Sequence, residues 1–257
     1  MSNRRTTSPA IGERPPRAID ALLRLLLALM VCAAATTSVL VLMASTVQAE
    51  GLDASQVLRA IEERTGALND LTFLLEGEIR DEAGQRIAVE IEVMAMPNLP
   101  AASLYIIQPD ALADNQVVID ADEIRNYTFL TNQVSVFHAD DPDALGGLFP
   151  EAAGATFDLD VGRVFQGWDV SIVSVEAGPD GEVYELRFDN LAAEAPIDHV
   201  LASIDADTWL PFRLVFFRDG DQLFADLRFV DMVVDQGLTR AEVTFLPDDA
   251  EVIDRRR

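Results

Sequence analysis

Most of the chain beyond residue 70 consists of short segments in which apolar and polar side chains alternate. The first two, Leu71–Arg80 and Ile87–Val93, are joined by a turn at Asp81–Gly84 and carry an apolar side chain at every second position. A period of two predicts β-strands with one face in the core and the other in water. About ten further segments of this kind follow, the last at Ala241–Leu246, so the sequence predicts a mainly β protein with an antiparallel sheet.

Only two intervals have the apolar spacing of a helix. Asp53 and Gln56 have the spacing of a capping box, and the apolar stripe that follows them ends before Asn69. A shorter helix is predicted within the interval 139–168, around Leu159 to Phe165. Two modest helices cannot cover about a dozen one-sided strands that lie flat, whereas a sheet that curls on itself solves the problem. We therefore predict a single curved antiparallel sheet that forms an incomplete β-barrel, with the helices as its lid or plug.

The interior of such a sheet is predicted to bind a guest molecule. A barrel-like sheet of about eleven strands encloses more space than its own side chains readily fill, so the interior must hold helices, a ligand or both. The inward positions are assigned from alternation alone. A slip of one residue in any strand would therefore exchange its two faces. The predicted lining consists of Leu58, Ile61, Phe73, Leu75, Val89, Ile91, Val93, Met94, Met96, Tyr127, Phe129, Phe165, Phe188, Phe212, Phe216 and Phe229.

The segment Val89–Pro100 alternates at first and then becomes apolar on both faces. Met94 and Met96 extend the apolar character to the face that should be wet. Because methionine is unbranched and adaptable, one interpretation is a rim that contacts a lid or a guest. The alternative is a strand end that packs under a neighbouring loop.

The first 49 residues are predicted to be a signal peptide. Four arginines within the first 17 residues precede a mostly apolar run at Leu25–Met43, and Val47–Ala49 offers small residues for cleavage before Glu50. Residues 50–257 then form one domain, and we expect a periplasmic location. The alternative is an uncleaved membrane anchor, because the apolar run is nearly long enough to span a bilayer.

Charge and composition exclude several classes of protein. The whole chain has a net charge of −25; without residues 1–49, which hold five Arg and two acids, 14 Arg face 42 acids and the net charge is −28. Such a surface repels nucleic acid and anionic headgroups. The chain has no Lys, and its single Cys is Cys32, so residues 50–257 contain no disulfide, Schiff-base amine or phosphate-binding GK[ST] loop.

No arrangement of residues predicts catalysis or a bound metal. His138 and His199 lie far apart in the sequence without ligand spacing, and we interpret both as structural. The acidic stretch at residues 138–147 lacks the spacing of an EF-hand, which favours a solvated loop over a calcium site. We therefore expect no enzyme activity and no cofactor.

The order of short motifs resembles the LolA-type outer-membrane lipoprotein carriers. The matching motifs are Pro97-Asn98-Leu99, Gln108-Pro109-Asp110, Asn126-Tyr127-Thr128-Phe129, Asp207-Thr208-Trp209-Leu210-Pro211 and Val243-Thr244-Phe245-Leu246-Pro247. The resemblance implies an incomplete barrel around a hydrophobic cavity, with helices as a lid. It also implies a shuttle that takes lipoproteins from an inner-membrane ATP-driven releasing complex and carries their acyl chains, or another lipid, to an outer-membrane acceptor.

Two positions depart from the family pattern. Met96 stands where the carriers have an arginine that tethers the lid, and Pro100 replaces the aromatic residue after the turn. Lid control by that arginine therefore does not transfer to this chain. We expect the protein to act as a monomer. A second hypothesis is an envelope interaction or sensor module of the same fold, with a filled core and no transported cargo; a retained N-terminal anchor would favour it.

Overall fold

The fold is described by a computed structural model that covers residues 52–256, apart from 82, 121, 140, 142–159, 178–180, 193–194 and 196. The predicted signal peptide, most of the acidic loop and Leu159 lie outside these residues. The helices and strands are α1 (Ala54–Gly66), β1 (Leu71–Arg80), β2 (Arg86–Met96), β3 (Ala101–Gln108), β4 (Gln116–Asp120), β5 (Glu123–Thr128), β6 (Gln133–His138), α2 (Val161–Val164), β7 (Asp169–Ala177), β8 (Glu182–Asp189), β9 (His199–Asp205), β10 (Leu210–Arg218), β11 (Gln222–Val234), α3 (Arg240–Val243) and β12 (Glu251–Asp254).

All twelve described strands belong to one sheet, in the order β12-β6-β5-β4-β3-β2-β1-β11-β10-β9-β8-β7. Because β12 and β7 lie at opposite ends of this order, the sheet is open and does not close into a barrel. The predicted fold class, a single sheet that forms an incomplete barrel with few helices, is thus confirmed. One pairing differs from the prediction, since β12 runs parallel to β6.

The inner face of the sheet forms one continuous apolar core. Side chains as far apart in the strand order as Ile124 of β5 and Phe188 of β8 belong to the same cluster, which places the sheet around the helices. α1 contributes Val57 and Ile61, both fully buried. The predicted capping box is present, because Asp53 accepts a hydrogen bond from the Gln56 amide and the Gln56 side chain accepts one from the Asp53 amide.

The C-terminal segment, residues 235–256, covers part of the outer face. Val243 and Leu238 pack there against Met94, Met96 and Ala101 in a second, smaller cluster. The extra apolar face of β2 therefore lies under the chain's own C-terminal segment, as the alternative interpretation of Val89–Pro100 states. The interpretation of Met94 and Met96 as a rim for a guest is wrong, because both lie on the side of the sheet away from the main core.

The prediction of a last strand at Ala241–Leu246 is also wrong. Within Ala241–Leu246, the chain forms the end of the single-turn helix α3, and the last strand comes later, at Glu251–Asp254. A second capping box explains the difference: Thr239 accepts from the Glu242 amide, while the Glu242 carboxylate accepts from the Thr239 amide. These bonds satisfy the free amides of a helix start and favour a turn over a strand.

Asp70 fastens the C-terminal segment to the sheet. Its buried carboxylate accepts hydrogen bonds from three consecutive backbone amides, those of Gln236 at 2.8 Å, Gly237 at 2.9 Å and Leu238 at 3.2 Å. Hydrogen bonds to a charged acceptor are roughly twice as strong as those between neutral groups. This carboxylate therefore holds the start of the segment that covers Met94 and Met96.

Replacement of Asp70 by alanine is expected to lower the free energy of unfolding by about 2 kcal/mol, because three backbone donors lose their acceptor. The amides of Gln236, Gly237 and Leu238 should then lose protection in hydrogen exchange. Asp70→Asn, which keeps one carbonyl oxygen, should give a smaller loss of both. Unchanged protection at these three amides in Asp70→Ala would contradict the assigned role.

None of the helices in the part of the chain that the structure describes has the length and apolar character that a membrane span needs.

Candidate functional site: the helix-covered inner face

Eleven of the sixteen predicted lining residues lie together on the inner face or on the helices that cover it. Ten of them are buried in the main core, and Leu58 packs against it. Alternation correctly placed the eight that lie on strands, because those strands keep their pleat at these positions, and helical spacing placed the other three. They are Leu58, Ile61, Phe73, Leu75, Val89, Ile91, Val93, Phe165, Phe188, Phe216 and Phe229.

The other five lie elsewhere. Met94 and Met96 face the C-terminal segment. Tyr127 has the opposite pleat to Ile124, which belongs to the inner core. Phe129 lies beyond the end of β5, in a 3-10 turn, and is exposed. Phe212 is exposed because the pairing of β10 with β9 shifts register between Pro211 and Arg213, which takes residue 212 out of the alternation.

Several inner positions were missed in the predicted lining. They lie in strands that were predicted, so the alternation that placed Phe188 and Phe216 would also have found them. Leu186, Leu214 and Leu227 are fully buried in the main core, and Tyr184 is 4% exposed. The clearest examples are Tyr184, Leu186, Leu214 and Leu227.

The aromatic side chain of Phe165, just after α2, fills the centre of the inner face. Its ring centroid lies 4.8 Å from that of Phe188, 5.1 Å from that of Trp168 and 6.4 Å from that of Phe216. Such separations are those of aromatic rings in direct contact. In the described part of the chain, Phe165 and the apolar face of α1 therefore pack against the inner face, where the sequence predicted a vacancy.

The two covering helices touch at a glycine. A Cβ atom built on Gly162 of α2 would lie 3.2 Å from Leu58 Cδ2 and 3.7 Å from Leu58 Cβ. The absence of a side chain at this position allows α1 and α2 to approach each other closely. Asp160 begins α2 by accepting hydrogen bonds from the amides of Gly162 and Arg163, and burial raises the pKa of this carboxyl.

The C-terminal end of α1 is held by the Pro97-Asn98-Leu99 turn. Asn98 Nδ2 donates a 2.8 Å hydrogen bond to the carbonyl oxygen of Leu68, which follows the helix. Asp235 accepts from the backbone and side-chain amides of Asn69. Among the described residues, the side-chain hydrogen bonds at the N-terminal end of α1 are the local ones around its own capping box. The helix is therefore anchored to the sheet and to the C-terminal segment at one end.

A small cleft lies beside the same turn. It is partly open to solvent, and its volume of about 10 Å³ is room for about one water molecule. It lies at the end of the sheet where the inner and outer faces meet, close to the anchored end of α1. The lining is Ala95, Met96, Pro97, Pro100, Ala101, Ala102 and Ile119.

His199 is buried and stacks on Phe217, with ring centroids 4.4 Å apart. Burial lowers the pKa of the imidazole below its ordinary value of 6.5, and the positive charge of Arg187 acts in the same direction. Three nearby carboxylates oppose the shift, those of Asp189, Asp221 and Asp198. Among the described residues, no group of three or more His, Cys, Asp or Glu side chains could hold a metal ion.

The lowered pKa of His199 predicts a pH-dependent loss of stability. As the pH falls below the ordinary value of 6.5, the unfolded chain takes up a proton that the folded protein accepts only at lower pH. Stability is therefore lost as the pH falls from that value through the folded pKa. Urea unfolding gives the free energy of unfolding of His199→Phe minus that of the wild type. This difference should be more favourable to the variant at pH 5 than at pH 8. An equal difference at both pH values would contradict this assignment.

Comparison with known proteins supports the fold alone. No model of a protein family and no curated protein matches the sequence. An uncharacterized conserved protein from Thermus thermophilus has 20% identity and a TM-score of 0.56, over 79% of this chain and 99% of that chain. A LolA superfamily protein from Nitrosomonas europaea has 11% identity and a TM-score of 0.38, over 76% of this chain and 99% of that chain. The likeness to the Thermus thermophilus structure shows the fold, and the LolA superfamily protein is one of the structures that this chain resembles.

Proposed function

We propose that the protein is a carrier of acyl chains in the cell envelope and that α1 is its movable lid. The observation that supports this proposal is a continuous apolar inner face that is covered mainly by one 13-residue helix. In this proposal, the structure corresponds to the closed form, and a guest binds when α1 swings away about its anchored end at Leu68. The lining side chains bind hydrocarbon and perform no chemistry, so the protein is not an enzyme.

The energetics favour an exchange of helix for guest. Val57 and Ile61 are fully buried and Leu58 is half-buried, and together they stabilise the attachment of α1 to the core by about 5 kcal/mol. A chain of about ten methylenes contributes about 8 kcal/mol when it is buried. The free energy gained by burying one acyl chain therefore only just exceeds the free energy lost when α1 leaves the core. A second acyl chain adds about as much again. This balance favours cargo with more than one acyl chain, as in lipoproteins.

The charge of the protein suits a periplasmic shuttle. A net charge of −25 keeps the carrier away from anionic membrane surfaces between deliveries. Loading and release then require protein partners. By its LolA-like fold, we propose an inner-membrane ATP-driven releasing complex as the donor and an outer-membrane protein as the acceptor.

The packing of Phe165 on the inner face favours a second candidate, an envelope interaction or sensor module that never opens. Phe165 contacts Trp168, Phe188 and Phe216 closely, so opening of the lid would break aromatic contacts as well as the α1 interface. In this case, the inner face would serve stability alone.

Native mass spectrometry of the protein purified from its own envelope tests the carrier proposal. We expect a bound lipid or acylated peptide, and the delipidated protein should bind a fluorescent fatty-acid probe. A protein that is always free of ligand and ignores added acyl probes would contradict the proposal and favour the filled module.

A lid variant separates the two candidates further. Ile61→Ser removes a fully buried side chain from α1 and weakens the lid, so the affinity for the acyl probe should rise by about tenfold or more. Leu191→Ser, at an exposed leucine far along the chain, is the control and should leave the affinity unchanged. If Ile61→Ser folds but binds no more probe than the wild type does, α1 is not a lid.

A further inference from the structure

Four large apolar side chains are exposed at one corner of the sheet. Phe129 is 51% exposed, Leu130 88%, Phe245 61% and Val252 66%. We call these four residues the apolar corner. None of them belongs to either core cluster, so they contribute little to folding. Exposed apolar residues are ordinary when single, but a group of them marks an interaction site.

The hydrogen bonds and strand pairings bring these residues together. The Phe129 amide donates to Asn115 Oδ1, next to Gln116, and Gln116 Nε2 donates to the Phe245 carbonyl. Val252 pairs with Val134 in the neighbouring strand. β4, β5, β6 and β12 are consecutive in the sheet, so the corner is about 14 Å wide at about 4.8 Å per strand.

The turn that carries Phe129 and Leu130 is held on both sides. Asn132, which ends it in a left-handed conformation, accepts from the Tyr127 hydroxyl and donates through Nδ2 to the Asp249 carbonyl. The Asn132 carbonyl accepts from the Glu251 amide. An exposed pair of apolar residues on a turn fixed in this way is preorganised, which reduces the entropy lost on binding.

Three carboxylates around the corner accept hydrogen bonds from side chains without charge. Asp114 accepts from the Tyr105 hydroxyl, Asp249 from the Asn132 amide group and Glu251 from the Gln133 amide group. All three donors are neutral. By contrast, the nearby Asp120 and Glu123 are paired with arginines, namely Arg240, Arg125 and Arg256. Among the residues that the structure describes, the apolar corner therefore has an acidic rim in which no arginine pairs with Asp114, Asp249 or Glu251.

We propose that the apolar corner is the docking site for a partner protein that presents apolar side chains among basic ones. The apolar centre supplies the buried contact, and the acidic rim selects and steers a cationic partner. The same rim disfavours an anionic membrane, which would otherwise suit exposed Phe and Leu side chains. This site is on the outer side and at the edge of the sheet, away from the helix-covered inner face, so it does not depend on the carrier proposal.

Peptide binding to the full protein tests the proposal. The probe is a synthetic peptide of alternating leucine and arginine; the comparison peptides replace leucine by serine or arginine by glutamate. We expect the leucine–arginine peptide to bind most tightly, with an affinity that decreases with salt. Leu130→Ser combined with Phe245→Ser should weaken its binding by about tenfold or more. Leu191→Ser removes a leucine outside the corner that is 74% exposed and should have no effect.

Two outcomes would overturn the proposal. The first is equal binding of the peptide by the wild type and by the Leu130→Ser, Phe245→Ser protein, which would show that the overall negative charge alone attracts it. The second is tighter binding, dependent on Leu130 and Phe245, to phosphatidylethanolamine–phosphatidylglycerol vesicles than to the peptide, which would assign the corner to a membrane. Because all substituted side chains are exposed, the variants are expected to fold, and urea unfolding confirms this.

Discussion

Replacement of Gly77 by alanine is expected to lower the free energy of unfolding by about 3 kcal/mol or more. Gly77 lies in β1, between Val89 of β2 and Leu227 of β11, at the centre of the sheet. A Cβ atom at this position would lie 2.0 Å from the carbonyl oxygen of Asp226. The obstacle is backbone in a paired strand and not the end of a flexible side chain. The β1–β11 ladder must therefore separate locally to admit even a methyl group.

Gly66 provides the matched control. It is the last residue of α1, and a Cβ atom there would meet no atom within 4 Å. Gly66→Ala should be neutral or stabilising by up to about 1 kcal/mol, because alanine has the higher helix propensity. Urea unfolding of both variants makes the measurement. Equal stabilities of Gly77→Ala and the wild type would mean that β1 and β11 are not as closely paired as described.

The regular strands and the first helix could be predicted from the sequence because their signals are local. The alternation of Phe73, Leu75, Val89 and Ile91 follows the pleat without interruption, and both halves of the capping box at Asp53 lie within four residues. An excess of one-sided strands over helices then leaves few solutions other than a curved sheet. This reasoning gave the architecture and eleven of the sixteen predicted lining residues.

Two of the misplaced lining residues lie where the regular pattern is interrupted. The register shift beside Phe212 and the 3-10 turn at Phe129 depend on the neighbouring strands, which periodicity within one strand does not report. The failure to predict helix α3 is a different kind of error, because Thr239 and Glu242 have the spacing of a capping box in the sequence. That signal was present and outweighs the alternation of the residues that follow.

The outer-face cover could not be predicted because it depends on contacts between distant parts of the chain. Asp70 binds amides 166 to 168 residues away, and β12 adds to β6 in parallel. Met94 and Met96 showed that a second apolar face exists, but nothing local showed what covers it. The role of Asn98 has the same origin, since its side chain reaches the end of α1 across 30 residues.

A disulfide that closes the lid is expected to abolish uptake of an acyl chain. The 3.7 Å between Leu58 Cβ and a Cβ atom built on Gly162 lies within the range of natural disulfides. Leu58→Cys with Gly162→Cys, in a Cys32→Ser background, would therefore join α1 to α2 after a small shift of the Asp160 carboxylate, whose Oδ1 lies 3.2 Å from the new Cβ atom. If the lid must open, the oxidised protein should bind an acyl probe at least about tenfold more weakly than the same protein after reduction.

The single cysteine variants show whether the substitutions themselves alter binding, because neither can form the bond. The decisive measurement is the affinity of the double variant for a fluorescent fatty acid before and after reduction. The carrier proposal predicts weak binding in the oxidised state and recovery on reduction. Equal binding in both states would contradict a lid formed by α1, and the absence of binding in both states and in the wild type would contradict a carrier.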